Sequence, residues 1–205
     1  MSSSQPRRTA IEITLFGFLV SLTLKGALDT AYGHSIPGVT SIAELGHALW
    51  VPPSLLVGVF LWTLLRFVYG AYRFNDEFQQ SSKQLKPVAQ FWNVGATFVL
   101  FVLFYLTGLS IQHSNPFYIG LIFIHIWDLI WFLVLFTWIE RTQSLRTVMK
   151  TFVFLDLVTI VALASTLYVF SPDYRGKAAV VMFGLGIIDF VVNRSFFFPT
   201  APRSA

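Results

Sequence analysis

Asp156 and Asp189 each lie inside an apolar stretch long enough to cross a bilayer. An ionised carboxylate in hydrocarbon is costly unless a cation, a hydrogen-bond donor or water compensates it, so intramembrane acids are functional-site candidates by default. Arg66, Asn193 and Arg194 fall at the same end of their apolar stretches, and the five residues Arg66, Asp156, Asp189, Asn193 and Arg194 define an expected intramembrane polar network. Asp189 and Asn193 are four residues apart and share a helix face, while Arg194 either reaches along that face or snorkels to the interface. A second group is expected further from that end. Lys25 and Asp29 are four residues apart and able to pair, and His125 and Asp128 are three apart on one face. A histidine beside an acid suits proton handling, so Lys25, Asp29, His125 and Asp128 are the candidate proton or ion pathway.

The same residues have a plainer use. Intramembrane polar groups often only fix helix register, each interaction contributing on the order of 1 kcal/mol. A third chemistry is an aspartyl enzyme, in which two close carboxyls share a proton and activate water. The segment Gly184-Leu185-Gly186-Ile187-Ile188-Asp189 resembles the Gly-x-Gly-Asp element of intramembrane aspartyl proteases, with two residues inserted before the acid. That insertion turns the carboxylate by about 200° around the helix, and no Pro-Ala-Leu element follows. Such an enzyme requires Asp156 and Asp189 to face each other with no arginine between them.

Other chemistries lack their residues. Cysteine is absent, which removes disulfides, thiolate metal sites, iron–sulfur clusters and thiol nucleophiles. There is no H-E-x-x-H, Walker A, G-x-S-x-G or G-x-G-x-x-G element, and no spacing among His47, His113 and His125 that specifies a haem. No metal, cofactor or nucleic-acid partner is expected, and an enzymatic role is the lesser reading.

The elements that must position these residues are membrane helices. The chain has 205 residues, 55% hydrophobic and 12% charged, with mean hydropathy +0.68. Soluble domains carry about 25% charged residues. Apolar runs of spanning length predict an all-α membrane protein, a polytopic bundle of six transmembrane helices at roughly 10–33, 47–71, 88–112, 117–139, 149–170 and 177–198. Residues 1–205 form a single transmembrane domain on this reading, because no stretch between helices is long enough for a separate core. The first run is kept as a helix because Lys25 and Asp29 stand where a signal peptide would carry its cleavage site. The breaks fall at Pro37-Gly38, Ser81 to Pro87, Asn115-Pro116, Glu140 to Arg146, and Pro172 to Gly176.

Charge asymmetry orients the bundle. Ten of the loop and tail lysines and arginines fall on the side of both termini and two, Arg175 and Lys177, on the other, which predicts cytoplasmic termini (N-in/C-in) in a plasma membrane or inner membrane. Trp50, Trp92 and Trp138 lie near helix ends, as interfacial belts do. The 22 phenylalanines are expected to pack between helices and against lipid, with Phe196, Phe197 and Phe198 able to form a dewetting constriction. Gly184 and Gly186 with Ala178 and Ala179 give the last helix a small-residue stripe for close packing.

The sequence therefore points to a channel or transport-type protein in which a buried Asp/Arg network lines or gates an ion or proton pathway. A chain this short is expected to need a homo-oligomer to enclose a pore. The competing reading is a non-enzymatic, membrane-embedded interaction or sensory subunit whose charges are structural. In that case a soluble partner would dock on the cytoplasmic 2–3 loop, Tyr72 to Pro87.

Overall fold

The structure, a computed structural model, describes residues 10–32, 52–81, 87–138, 143–169 and 172–194. All regular structure among them is helical: α1 (Ala10–Tyr32), α2 (Pro52–Ser81), α3 (Pro87–Leu109), α4 (Ser114–Trp138), α5 (Gln143–Tyr168) and α6 (Pro172–Val192). Four of these, α2 to α5, are long and apolar enough to cross a membrane. Side chains such as Phe91, Val161, Phe154 and Val191 stand largely exposed on the outer surface, which suits a lipid solvent. The two tails, His47, Trp50 and Phe196 to Phe198 lie outside the described residues.

Packing closes the helices into a ring. α1 packs on α3, α3 on α4, α4 on α5, α5 on α6, α6 on α2, and α2 returns to α1. α2 also touches α3, and α4 touches α6, so the ring is filled rather than hollow. Half of the spanning part of α2 is buried, a larger share than in α3, α4 or α5, which makes it the most enclosed of these spans.

Helix boundaries differ from the sequence expectation in one systematic way. Pro52, Pro87 and Pro172 open α2, α3 and α6, and Pro116 falls in the first turn of α4. Proline lacks an N–H that the first helical turn would leave unbonded anyway, so it starts helices as readily as it breaks them. Reading the prolines as loop residues placed the starts of α4 and α6 too late. At α2 the five residues before Pro52 lie outside the described set. α2 also continues to Ser81, ten residues past its expected end, so much of the expected 2–3 loop is helix. α5 begins at Gln143 rather than 149. The α3–α4 connection is a tight turn in which Ser110 and His113 donate their N–H groups to Thr107 O and Ser110 O at 3.0 and 2.8 Å.

Polar groups on the helices are satisfied locally. Thr63, Thr107, Thr159 and Thr166 each donate a hydroxyl to the carbonyl four residues earlier at 2.8–2.9 Å, which lets a hydroxyl sit in an apolar interior.

The α2–α6 seam depends on glycine. A Cβ at Gly186 would run into the Trp62 indole, and one at Gly58 would lie 3.1 Å from the Phe183 ring. Trp62 in turn lies 5.4 Å from the Phe190 ring centroid. Gly186→Val is therefore expected to overpack the seam and destabilise the protein by about 1–3 kcal/mol, read as a lower apparent Tm in detergent. An unchanged Tm would mean that α6 does not seat on Trp62.

Candidate functional site

The inward stripe of each central helix carries one part of a buried charged cluster. On α2 the buried positions include Val59, Phe60, Thr63, Arg66, Phe67, Ala71 and Phe74, a spacing of three to four residues that includes the arginine. On α4 the stripe runs Phe117, Leu121, Ile124, His125, Asp128, Trp131 and Leu135. On α5 it includes Phe152, Asp156, Thr159 and Leu163. On α6 it runs Ala179, Met182, Gly186, Asp189 and Asn193, alternating three and four, so the aspartate occupies a core seam position.

Arg66 joins the helices. Its Nε lies 3.1 Å from Asp189 Oδ2 and its Nη2 3.6 Å from Asp156 Oδ1. Asp189 Oδ1 accepts a hydrogen bond from Asn193 Nδ2 at 2.6 Å. Asp156 Oδ1 also lies 2.7 Å from His125 Nδ1, and the buried Asp128 side chain is close enough to Asp156 for the two carboxyls to interact electrostatically. Asp156 and Asp189 are 1% and 0% exposed and Arg66 is 7% exposed, so water cannot do the compensating here. His125 Nε2 finds no hydrogen-bond partner among the described residues, and the ring lies edge-on to Phe67 at 5.4 Å between centroids.

The two groups read from the sequence are thus one group on the cytoplasmic-expected side, less three residues, Lys25, Asp29 and Arg194. His125 pairs across helices with Asp156, whereas the sequence put it with Asp128 on its own helix. The reason is that α4 and α5 are packed neighbours whose buried stripes face each other, so Asp156 meets His125 across the contact. Asn193 is in the network, but Arg194 is exposed, the snorkelling outcome. Lys25 and Asp29 bond to each other on the exposed face of α1, away from Arg66, with side chains 74% and 50% exposed. A pair so open to its surroundings contributes little to stability.

Next to the charges is an aromatic box that the sequence reading did not single out. Trp131 stacks on Phe132 and Phe132 on Phe152, with centroids 5.5 Å apart in each case, and Phe74 meets Trp131 and Phe132 edge-on at 6.0 and 5.3 Å. Trp131 Nε1 donates to Asn93 Oδ1 on α3 at 3.2 Å, which fixes the box to a fourth helix. The signal was available in the spacing. Phe132 is four residues after Asp128, Phe152 four before Asp156, and Phe74 eight after Arg66, so each lies one or two turns from a charge towards the same end of the bundle. A cavity of about 20 Å³ lies between this box and the charges, lined by Arg66, Phe67, Ala71, Phe74, Asp128 and Trp131 among others.

The arrangement decides between some chemistries. Arg66 bonds to both Asp156 and Asp189, which is the condition that an aspartyl catalytic pair of these two residues must avoid. Among the described residues no group of histidines and acids is placed to hold a metal ion. Three acids and one imidazole gathered on one arginine are suited to holding and exchanging protons. Comparison of the chain with protein families, with curated proteins and with solved structures yields no match.

Proposed function

We propose that the chain is a six-span, multi-pass protein of a plasma membrane or inner membrane, with cytoplasmic termini, that moves protons through the cluster of Arg66, His125, Asp128, Asp156 and Asp189. One observation carries this reading: the buried cluster holds more acids than cations. Asp128, Asp156 and Asp189 supply three carboxyls against the single permanent charge of Arg66. Two carboxyls buried side by side, as Asp128 and Asp156 are, cannot both stay ionised at low cost, so one of them holds a proton. With that proton in place and His125 neutral, one negative charge is left in excess. An uncompensated buried charge costs several kcal/mol, and uptake of one further proton cancels it. The cluster is then a store that takes up a proton readily and releases it when water or a shift of Arg66 compensates the charge left behind, as the protonatable site of a channel or transporter must.

The test is proton flux in proteoliposomes of purified protein loaded with a pH-sensitive dye and driven by a potassium diffusion potential. Wild type is expected to acidify or alkalinise the lumen well above protein-free vesicles, and Asp128→Asn to slow that flux at least tenfold. Wild-type flux equal to that of empty vesicles sinks the proposal.

The interaction-subunit reading has one observation in its favour. α2 runs nine residues beyond Tyr72, where its apolar spanning segment ends, and so projects about 13 Å past it. A soluble protein of defined identity that binds through residues 76–86 would carry that reading.

A further inference from the structure

We infer that the cavity between α2, α4 and α5 is a one-sided access site for solvent-borne protons, reached from the end of the bundle that carries Lys150 and closed towards the α3–α4 turn, with Asp128 as the group that first receives them. The inference rests on the proton-transfer reading and adds to it a direction of access and a first acceptor.

The cavity combines features that a packing defect lacks. Its volume of about 20 Å³ has room for about one water. A water is held in a protein interior by two to four polar partners, and an all-apolar cavity stays dry. Here the wall supplies the Arg66 guanidinium, which only donates, and the Asp128 carboxyl, which accepts. The remaining wall is aromatic and apolar, which leaves those two groups as the only anchors among the lining residues named.

Direction follows from helix register. Counting from the charged layer, the lining residues go up from Arg66 to Phe67, Gly70, Ala71 and Phe74 on α2, up from Asp128 to Trp131 and Phe132 on α4, and down from Asp156 to Phe152 on α5. α2 and α4 run towards the α4–α5 connection and α5 away from it, so every step leads to the same end. That end carries the exposed Lys150, two residues before Phe152, and a proton entering from it passes the aromatic box, whose Phe74, Trp131, Phe132 and Phe152 are 1–7% exposed and must part to admit water. On the other side of the charges the interior is filled by Phe60, Phe104, Phe117, Leu121 and Ile124, none more than 1% exposed, with Phe60 and Phe104 edge to face at 6.0 Å.

Asp128 is the acceptor because it is the acid on the cavity wall. The groups facing it from the packed helices are Asp156 on α5, Arg66 on α2 and Asp189 on α6, with His125 one turn earlier on its own helix. A proton taken from cavity water by Asp128 then faces Asp156, which bonds in turn to His125 Nδ1. Room for one water and the absence of a metal-holding group among the described residues restrict the ligand to a proton rather than a hydrated metal ion.

The chain has no cysteine, so single cysteines report access without background. In sealed vesicles, Lys150→Cys and His113→Cys, labelled by an impermeant maleimide, identify the two faces. Silver ion, a small thiol-reactive cation, is then added to one face or the other, and unreacted thiol is counted by maleimide after denaturation. Ala71→Cys is expected to be protected at least tenfold faster by silver from the Lys150 face than from the His113 face. Val59→Cys, in the filled half, is expected to be protected from neither, and Phe152→Cys replaces Ala71→Cys should the latter fail to fold. Equal protection of Ala71→Cys from both faces, protection from the His113 face alone, or no protection overturns the inference. If the one-sided pattern holds while wild type carries no proton flux, the access site stands and the transport reading alone falls.

Discussion

Arg66→Ala is expected to destabilise the protein by about 3–5 kcal/mol, the cost of removing one partner from a buried ionic group. The guanidinium reaches Asp189 at 3.1 Å and Asp156 at 3.6 Å, and alanine leaves both acids with no cation in a region that is 0–1% exposed. Apparent Tm in detergent and the fraction of monodisperse protein read the loss. Arg66→Lys keeps the charge but cannot span two carboxylates from a planar fork, so it recovers only part of the stability. Replacing the ionic group as a unit, with Arg66→Met, Asp128→Leu, Asp156→Leu and Asp189→Leu together, is expected to restore much of what Arg66→Ala loses, because no buried acid is then left without its cation. That quadruple variant separates folding from function: it keeps a bundle and has no carboxyl to store a proton. A stability for Arg66→Ala within about 0.5 kcal/mol of wild type would show that water reaches the acids freely.

The largest functional effect belongs to Asp156→Asn. This carboxylate contacts a cation at Arg66 and an imidazole at His125, and it faces an acid at Asp128. Asparagine is nearly the same size and still offers an oxygen to Arg66, so the fold should lose much less than in Arg66→Ala. It cannot accept a proton from Asp128 or pass one to His125, and the route between α4 and α5 is cut. Proton flux is expected to fall about a hundredfold, within the range for loss of a positioned proton-transfer group, while Tm moves by a few degrees. Flux at the wild-type level in a folded Asp156→Asn protein removes this residue from the mechanism and leaves the cluster a structural role.

Much of the architecture was legible because apolar runs of spanning length admit few alternatives, and six runs became six helices. At the starts of α4 and α6 the residues missed were those next to proline, which reads as punctuation in a sequence, whereas the end of α2 and the start of α5 were missed because their polar residues read as loop. The acids and Arg66 could be grouped by depth alone, since one coordinate along each helix suffices to place residues in a layer. Which of them touch needs the second coordinate, rotation about the helix, and the order of helices around the ring. Neither is encoded in a single span. The partner of His125 was misassigned for this reason: Asp128 is its neighbour in sequence, while Asp156 is its neighbour across the α4–α5 contact. The aromatic box was overlooked because the chain has so many phenylalanines that no individual one stands out.

The uninterrupted run of α2 from Pro52 to Ser81 makes it a lever as well as a wall. Arg66 sits near its middle, about 22 Å from Ser81. A helix transmits tilt with little bending, so pulling its projecting end sideways by about 2 Å rotates the rod by about 5° and reorients the guanidinium on its two carboxylates. Ion pairs at 3.1 and 3.6 Å tolerate little of that before one lengthens at the expense of the other. Any force on the far end of α2 is thereby converted into a redistribution of charge between α5 and α6.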